Sequence, residues 1–202
     1  MAPRNPTTEK ILRLARQKGI LRVRDLIEVD IHPEYLRRLC AAGVLQRSGR
    51  GVYLLVEGDY SENVSLVEAA RRVPHGVICL LSALRIHEIG TQNPHEVWMM
   101  IDQRAALPRI DYPPMRFFRA SGKAFTSGVE IRRMDRANVA LYGVAKTIAD
   151  CFRYRNKIGF DVALEALRDC LRYKRATIDD IWKYARICRV EQVMRPYLEA
   201  MV

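Results

Sequence analysis

The chain has 202 residues, 49% of them hydrophobic, and its 34 Lys and Arg outnumber 23 Asp and Glu for a formal net charge of +11. That length holds one large domain or two small ones, and the apolar content, with only 11 Gly and 9 Pro, excludes a chain disordered throughout. The cation excess favours a polyanionic partner, because each Lys or Arg set on a phosphate releases condensed counterion; the plainer reading is that the charge serves solubility.

Taken in chain order, Asn5 is placed to cap a first helix and Pro6 suits its first turn. The spacing predicts a helix from Pro6 to Lys18, with Ile11 and Ala15 on one face, closed by Gly19. A second short helix follows over Arg22 to Glu28, patterned by Val23, Leu26 and Ile27. A polar break at Asp30 leads to a third, opening His32-Pro33-Glu34-Tyr35, with His32 as cap. Its inward stripe is Leu36, Leu39 and Cys40; Glu34, Arg38 and Ala41 point the other way, and Tyr35 and Arg37 lie at the margins. Gly43 ends it.

From Val44 to Leu54 the pattern is a hairpin whose turn is Ser48-Gly49-Arg50-Gly51. Three short helices followed by a basic β-ribbon describe a winged helix-turn-helix, which sets its third helix in a major groove and its wing on the adjacent backbone. Arg37 and Arg38 are then the candidates for base readout and Tyr35 for stacking or phosphate contact. Arg47, Ser48 and Arg50 are the wing contacts, and Lys10, Arg22 and Arg24 are expected to add phosphates near the helix ends. The competing readings are a solvated basic face and an ordinary surface hairpin.

A polar link, Glu57 to Ser61, precedes a helix over Leu66 to Val73. Val77 to Leu81 reads as a buried strand running into a helix at Ser82 to His87. Val97 to Ile101, Met115 to Arg119, Val129 to Arg133 and Val139 to Tyr142 read as further strands. Beyond Val144 the pattern is helical. Val144, Ile148, Cys151 and Phe152 make one stripe; Phe160, Ala163, Leu164, Leu167 and Leu171 make another. Thr177 and Asp180 resemble a capping box for a helix carrying Ile178, Ile181, Trp182 and Ala185, and Pro196 is a kink or a new start in the last segment. The expected fold class is α+β: a winged helix-turn-helix over 1–57, then a second domain over 62–202 with a small mixed sheet and a helical C-terminal part.

Five cysteines, Cys40, Cys79, Cys151, Cys170 and Cys188, are widely spaced without a C-x-x-C pair, which suits small buried thiols in a reducing cytoplasm. The first residues lack the apolar core of a signal peptide, and no apolar run nears the ~18 residues of a membrane span. The expectation is a cytoplasmic protein with no membrane partner.

Three segments in this order resemble the AbiEi-type antitoxins of type IV toxin–antitoxin (abortive infection) systems. They are the wing end Gly51-Val52-Tyr53, the stretch Ser82-Ala83-Leu84-Arg85-Ile86-His87-Glu88-Ile89-Gly90-Thr91 leading to Pro94, and Val139 to Arg155. The chain departs from the family where Asp30 replaces a helix-ending Gly and His32 replaces a Ser or Thr cap. The resemblance implies a DNA-binding antitoxin that represses its own operon through inverted repeats. It also implies a nucleotidyltransferase-like toxin, opposed directly or indirectly by the second domain.

No cofactor and no catalytic residues are expected. The four histidines, His32, His75, His87 and His95, include no i, i+4 zinc pair. The alternative reading is a metal-dependent nucleic-acid enzyme using Asp102 and Glu130, in which Arg132 would stand where such nucleases carry Lys; Arg keeps its proton and cannot act as a base. Lys146 and Asp150 lie one helical turn apart, an ordinary i, i+4 ion pair. The second domain's clusters, Arg116, Arg119, Lys123, Arg132, Arg133 and Arg136, then Arg153, Arg155 and Lys157, fit a nucleic-acid surface, a face for an acidic protein, or simple solvation.

Overall fold

A computed structural model describes residues 5–18, 21–49, 51–56, 63–134 and 137–201. Gly19, Arg50, the link Glu57 to Ser61, and Arg136 lie outside the described residues. The chain divides into two compact units: residues 1–65 with 110–113, and residues 66–109 with 114–202.

In the first unit, α1 (Pro6–Lys18), β1 (Leu21–Arg22), α2 (Val23–Ile27), α3 (Glu34–Ala41), β2 (Leu45–Gly49) and β3 (Val52–Leu55) follow in order. The strands form an antiparallel sheet ordered β1-β3-β2. Ile11, Ala15, Leu21, Leu26, Ile31, Leu36, Leu39, Leu45 and Leu55 share one core. Each Leu or Ile so enclosed contributes about 1.5–3 kcal/mol relative to exposure. Ile27, read above as part of the α2 stripe, is 62% exposed. A five-residue helix has only a single turn to bury, and Leu26 occupies that position.

Two Schellman motifs set the helix-turn-helix. Ile31 N–H donates to Leu26 O and Asp30 N–H to Ile27 O, with Asp30 left-handed at φ 58°. Val44 N–H donates to Leu39 O and Gly43 N–H to Cys40 O, with Gly43 at φ 67°. Asp30 therefore does the work for which a glycine would be expected, at a cost offset by burying Ile31 beside Leu26.

The second unit contains α4 (Val64–Arg72, from Leu66), β4 (Val77–Ile78), α5 (Leu80–Ile86), β5 (Val97–Asp102), β6 (Met115–Ala120), α6 (Lys123–Thr126), β7 (Val129–Met134) and β8 (Ala137–Tyr142). Then come α7 (Val144–Arg153), α8 (Arg155–Ile158), α9 (Phe160–Arg172), α10 (Ile178–Ile187) and α11 (Glu191–Met201). The mixed sheet runs β6-β5-β4-β8-β7, parallel at β6–β5 and β4–β8 and antiparallel elsewhere. Trp98, Met100, Phe118 and Ala120 of the sheet share one core with Ile148, Phe152, Leu167, Ile181 and Met194 of the helices. Met99 and Ile101, on the opposite face, are buried as well.

Several local readings are corrected. The strand expected over Val77 to Leu81 stops at Ile78, because the Ser82 hydroxyl accepts the Trp98 N–H and the chain turns at Leu80 (φ 46°) into α5. The buried face of α9 is Val162, Ala163, Ala166, Leu167 and Cys170, with Phe160, Leu164 and Leu171 half-buried beside it. Pro196 neither starts nor ends an element; α11 runs through it. The four-residue α6 and α8 carry no periodicity long enough to read.

The centre of the second unit is α7, where every residue from Ala145 to Phe152 is buried. Gly128 lets it approach the sheet: a Cβ there (φ 75°) would meet Lys146 Cβ at 2.8 Å, whereas one on Gly143 would meet only the movable end of the Glu130 side chain.

Candidate nucleic-acid interface

The start of α3 is built by local bonds. His32 Nδ1 accepts the Glu34 N–H at 3.2 Å, so an imidazole nitrogen does the capping that a hydroxyl usually does. Along the outer face, Arg37 and Arg38 are 82% and 69% exposed at the side chain. Arg37 donates through Nε and Nη2 to Glu34 Oε1 at 2.9 and 2.6 Å. That bond is the chief reason the Glu34 carboxyl sits below the usual carboxylate range and the Arg37 guanidinium above its own. Arg38 lies 4.0 Å from the same carboxylate, with its guanidinium carbon 5.8 Å from the Tyr35 ring centroid. One glutamate thus holds both arginines on the exposed face of the helix.

On the wing, Arg47 is exposed and pairs with Tyr53 across the ladder. The register shifts between Arg47 and Gly49, so Ser48 is the bulged backbone position, and Gly51 turns the tip at φ 70°. β2 packs against α3 in the same unit, so helix and ribbon are neighbours. Burial raises the pKa of the Cys40 thiol on the inner side of α3, and the Arg47 charge partly lowers it.

The remaining cations divide. Lys10 is exposed and donates to Val29 O at 3.2 Å, tying α1 to the turn before α3. Arg24 is exposed on α2. Arg22 is half-buried in β1 with its Nε enclosed, which makes it less accessible than Lys10, Arg24 and Arg47. A group the sequence reading missed anchors this region. Buried Asp25 accepts the Arg22 N–H at 2.7 Å and pairs with Lys18 at 2.5 Å, a contact that raises the Lys18 pKa. The Arg22-x-x-Asp25 spacing, half of a capping box, was its signal.

Residues 9–56 match the family model described as transcriptional regulator, AbiEi antitoxin. The first unit carries an AbiEi-type antitoxin domain. No curated protein matches the chain. Among solved structures, the RV2827C protein from Mycobacterium tuberculosis is similar in fold, with a TM-score of 0.59 at 11% identity, over 89% of this chain and 71% of that one. No described helix is long and apolar enough to cross a membrane.

Outside the AbiEi-type domain, the acid pair weighed for metal chemistry is not assembled. Asp102 ends β5 and Glu130 begins β7; β4 and β8 lie between them, and the pairing makes β5 and β7 run the same way, so the two acids sit at opposite ends of the sheet. Asp102 instead accepts the Arg104 N–H at 2.8 Å. Among the described residues no group of three or more His, Cys, Asp or Glu is placed to hold a metal. Several second-unit cations brace the backbone: Arg119 donates to Gln103 O and Ala105 O, Arg132 to Ile86 O, and Arg155 to Phe152 O. Arg116 lies over Trp98, 4.7 Å from its ring centroid, and pairs with Glu96.

His87 is buried, and its Nε2–H donates to Tyr142 O at 2.8 Å. It borders an open depression of about 330 Å³ with Glu88, Glu130, Arg132 and Arg175. Burial lowers its pKa from 6.5, the Tyr142 bond opposes this, and the charges of Arg132, Glu130 and Arg175 act on it as well. A lowered folded value means the unfolded chain takes up the proton first as pH falls. His87 therefore contributes stability that is complete above pH 6.5 and is lost as pH drops through the folded value. His87→Gln, which keeps a donor for Tyr142 O, is expected to flatten the thermal-melting curve against pH below 6.5; an unchanged slope would assign the acid sensitivity elsewhere.

Proposed function

We propose that this chain is a DNA-binding antitoxin of a type IV abortive-infection system that represses its own operon at inverted repeats. In this reading α3 enters the major groove. Arg37 and Arg38 reach base edges, and Tyr35 stacks or meets a phosphate. Arg47, the Ser48 bulge and Arg50 hold the neighbouring backbone, and Lys10, Arg24 and, less accessibly, Arg22 add phosphates. The second domain opposes a nucleotidyltransferase-like toxin, by contact or by acting on the same target, in the cytoplasm of a cell under phage attack. The division of labour follows the boundary read from the sequence, 1–57 and 62–202.

The observation that carries this reading is the exposed Arg37–Arg38 face at the start of α3, on a domain matched to transcriptional regulators. A footprint of the full chain on its own upstream DNA tests it. Protection of two inverted half-sites, together with repression of a reporter driven by that DNA, is the expected result. Uniform, sequence-independent coverage would overturn the repressor reading. Growth rescue when the chain is co-expressed with the neighbouring gene's product tests the antitoxin half separately.

A further inference from the structure

The strand β7 is one edge of the five-stranded sheet, and among the described residues only β8 pairs with it. From Val129 to Arg133 it is open on both faces; Ile131 is 64% and Val129 38% exposed. Gly143 N–H donates to Gly128 O at the base of the β7–β8 ladder. Antiparallel alternation from that pair turns the N–H and C=O of Glu130 and Arg132 toward β8, and those of Val129, Ile131 and Arg133 outward. Outward groups on an unpaired edge are a template for an added strand whose charges complement those of the edge.

The edge sequence, Val129-Glu130-Ile131-Arg132-Arg133, selects which strand. In a second copy laid antiparallel about a two-fold axis through Ile131, Ile131 meets its own counterpart. Val129 then lies along the stem of the second copy's Arg133, and Glu130 faces the second copy's Arg132, twice by symmetry, through the guanidinium nitrogens that remain after Nη1 donates to Ile86 O. These ion pairs fall at the non-hydrogen-bonded positions, where Cα atoms are about 4.5 Å apart and side chains are closest. Moving the axis to Glu130 opposes two carboxylates, and moving it to Arg132 opposes two guanidiniums. Only the Ile131 register avoids like charges at the axis while pairing the whole exposed run.

We infer that the chain self-associates through β7, antiparallel and two-fold, joining the sheets of two copies at an Ile131–Ile131 contact flanked by reciprocal Glu130–Arg132 pairs. An isologous edge of this kind closes on itself, so each copy uses β7 once and the contact does not propagate through that strand. A two-fold pair also suits inverted half-sites; that clause rests on the proposed DNA reading, whereas the association does not.

Sedimentation of the full chain without DNA, over a range of protein concentrations, is the test, so its failure and the failure of the DNA reading are separate results. The wild-type chain is expected to pass from monomer to dimer as concentration rises. Glu130→Arg and Arg132→Glu are each expected to weaken self-association about tenfold or more, since each sets like charges opposite one another twice. Mixed in equal amounts, the two variants are expected to form a heterodimer, one edge now cationic and the other anionic. Misfolded chains would not regain association on mixing. A wild-type chain that stays monomeric throughout, single variants that associate as well as wild type, or a mixture that remains monomeric would each overturn the inference.

Discussion

Lys146→Met is expected to cost about 3–5 kcal/mol of unfolding free energy at neutral pH, and adding Asp150→Leu to recover most of that loss. Both side chains are enclosed in α7, with Lys146 Nζ donating to Asp150 Oδ2 at 2.5 Å. Lys146 Nζ also lies 4.0 Å from the Tyr142 ring centroid, and the Cys188 thiol donates to Asp150 Oδ1 at 3.3 Å. Taking two charges out of water is expensive, and their attraction in a low-dielectric interior roughly repays it; removing one partner leaves the penalty without the repayment. Leucine and methionine together are apolar and of similar volume, so the double variant carries no stranded charge.

The pH dependence separates this from a packing defect. Burial raises the Asp150 pKa and Lys146 is the largest influence holding it down. In Lys146→Met that restraint is gone, so the native carboxyl holds its proton to a higher pH than the unfolded one does. A raised folded value in an acid means stability falls as pH rises from the unfolded value, near about 3.9, through the folded value. The deficit of Lys146→Met relative to wild type is therefore expected to shrink on acidification from neutral pH. Urea unfolding at neutral and mildly acidic pH measures it. A deficit that does not change with pH, or a double variant as unstable as the single one, would assign the loss to shape alone.

The second large effect is on DNA. Arg38→Ala is expected to lose about 1–3 kcal/mol on the preferred site and much less on random sequence, because a bidentate arginine discriminates between bases. Arg47→Ala is expected to weaken every sequence alike and to lower the salt slope of log K by about one unit, the signature of a lost phosphate contact. Titrations of both variants on specific and scrambled duplexes at two salt concentrations read these outcomes. Equal losses on all sequences for Arg38→Ala would move that side chain from a base edge to the backbone. Glu34 tempers both arginines in the free protein, so the gain on binding includes the cost of releasing Arg37 from its carboxylate.

Much of the first unit was legible because its signals are local. The Asn5-Pro6 start, the Leu36 and Leu39 stripe and the Gly43 stop each depend on residues within a turn of one another, and α1 occupies the span its periodicity indicated. At helix ends that use no glycine the stop at Asp30 and the end at His87 were legible from the break in pattern, but the left-handed residue that makes each end was not. Asp30, Glu88, Lys174 and Arg189 all sit at positive φ in Schellman-type ends, and the apolar residue after three of them, Ile31, Ile89 and Val190, is buried. That distant burial offsets the left-handed strain, and no residue type at the turn announces it. Asp25 divides the same way: its bond to the Arg22 N–H is local and follows the i, i+3 spacing, while its ion pair with Lys18 of α1 is set by packing.

Residue order alone was enough to specify the longer helices, most strands, the Thr177 cap that accepts the Asp180 N–H, and the cationic α3 with its ribbon. Folding in three dimensions decided the rest. It threaded the two-residue β4 between β5 and β8, kept Asp102 away from Glu130, and enclosed the Lys146–Asp150 pair, of which only the i, i+4 spacing was legible. Periodicity and capping act over one or two turns and are written into neighbouring residues. Burial and strand partnership are sums over contacts far apart in the chain, and only the assembled core supplies them.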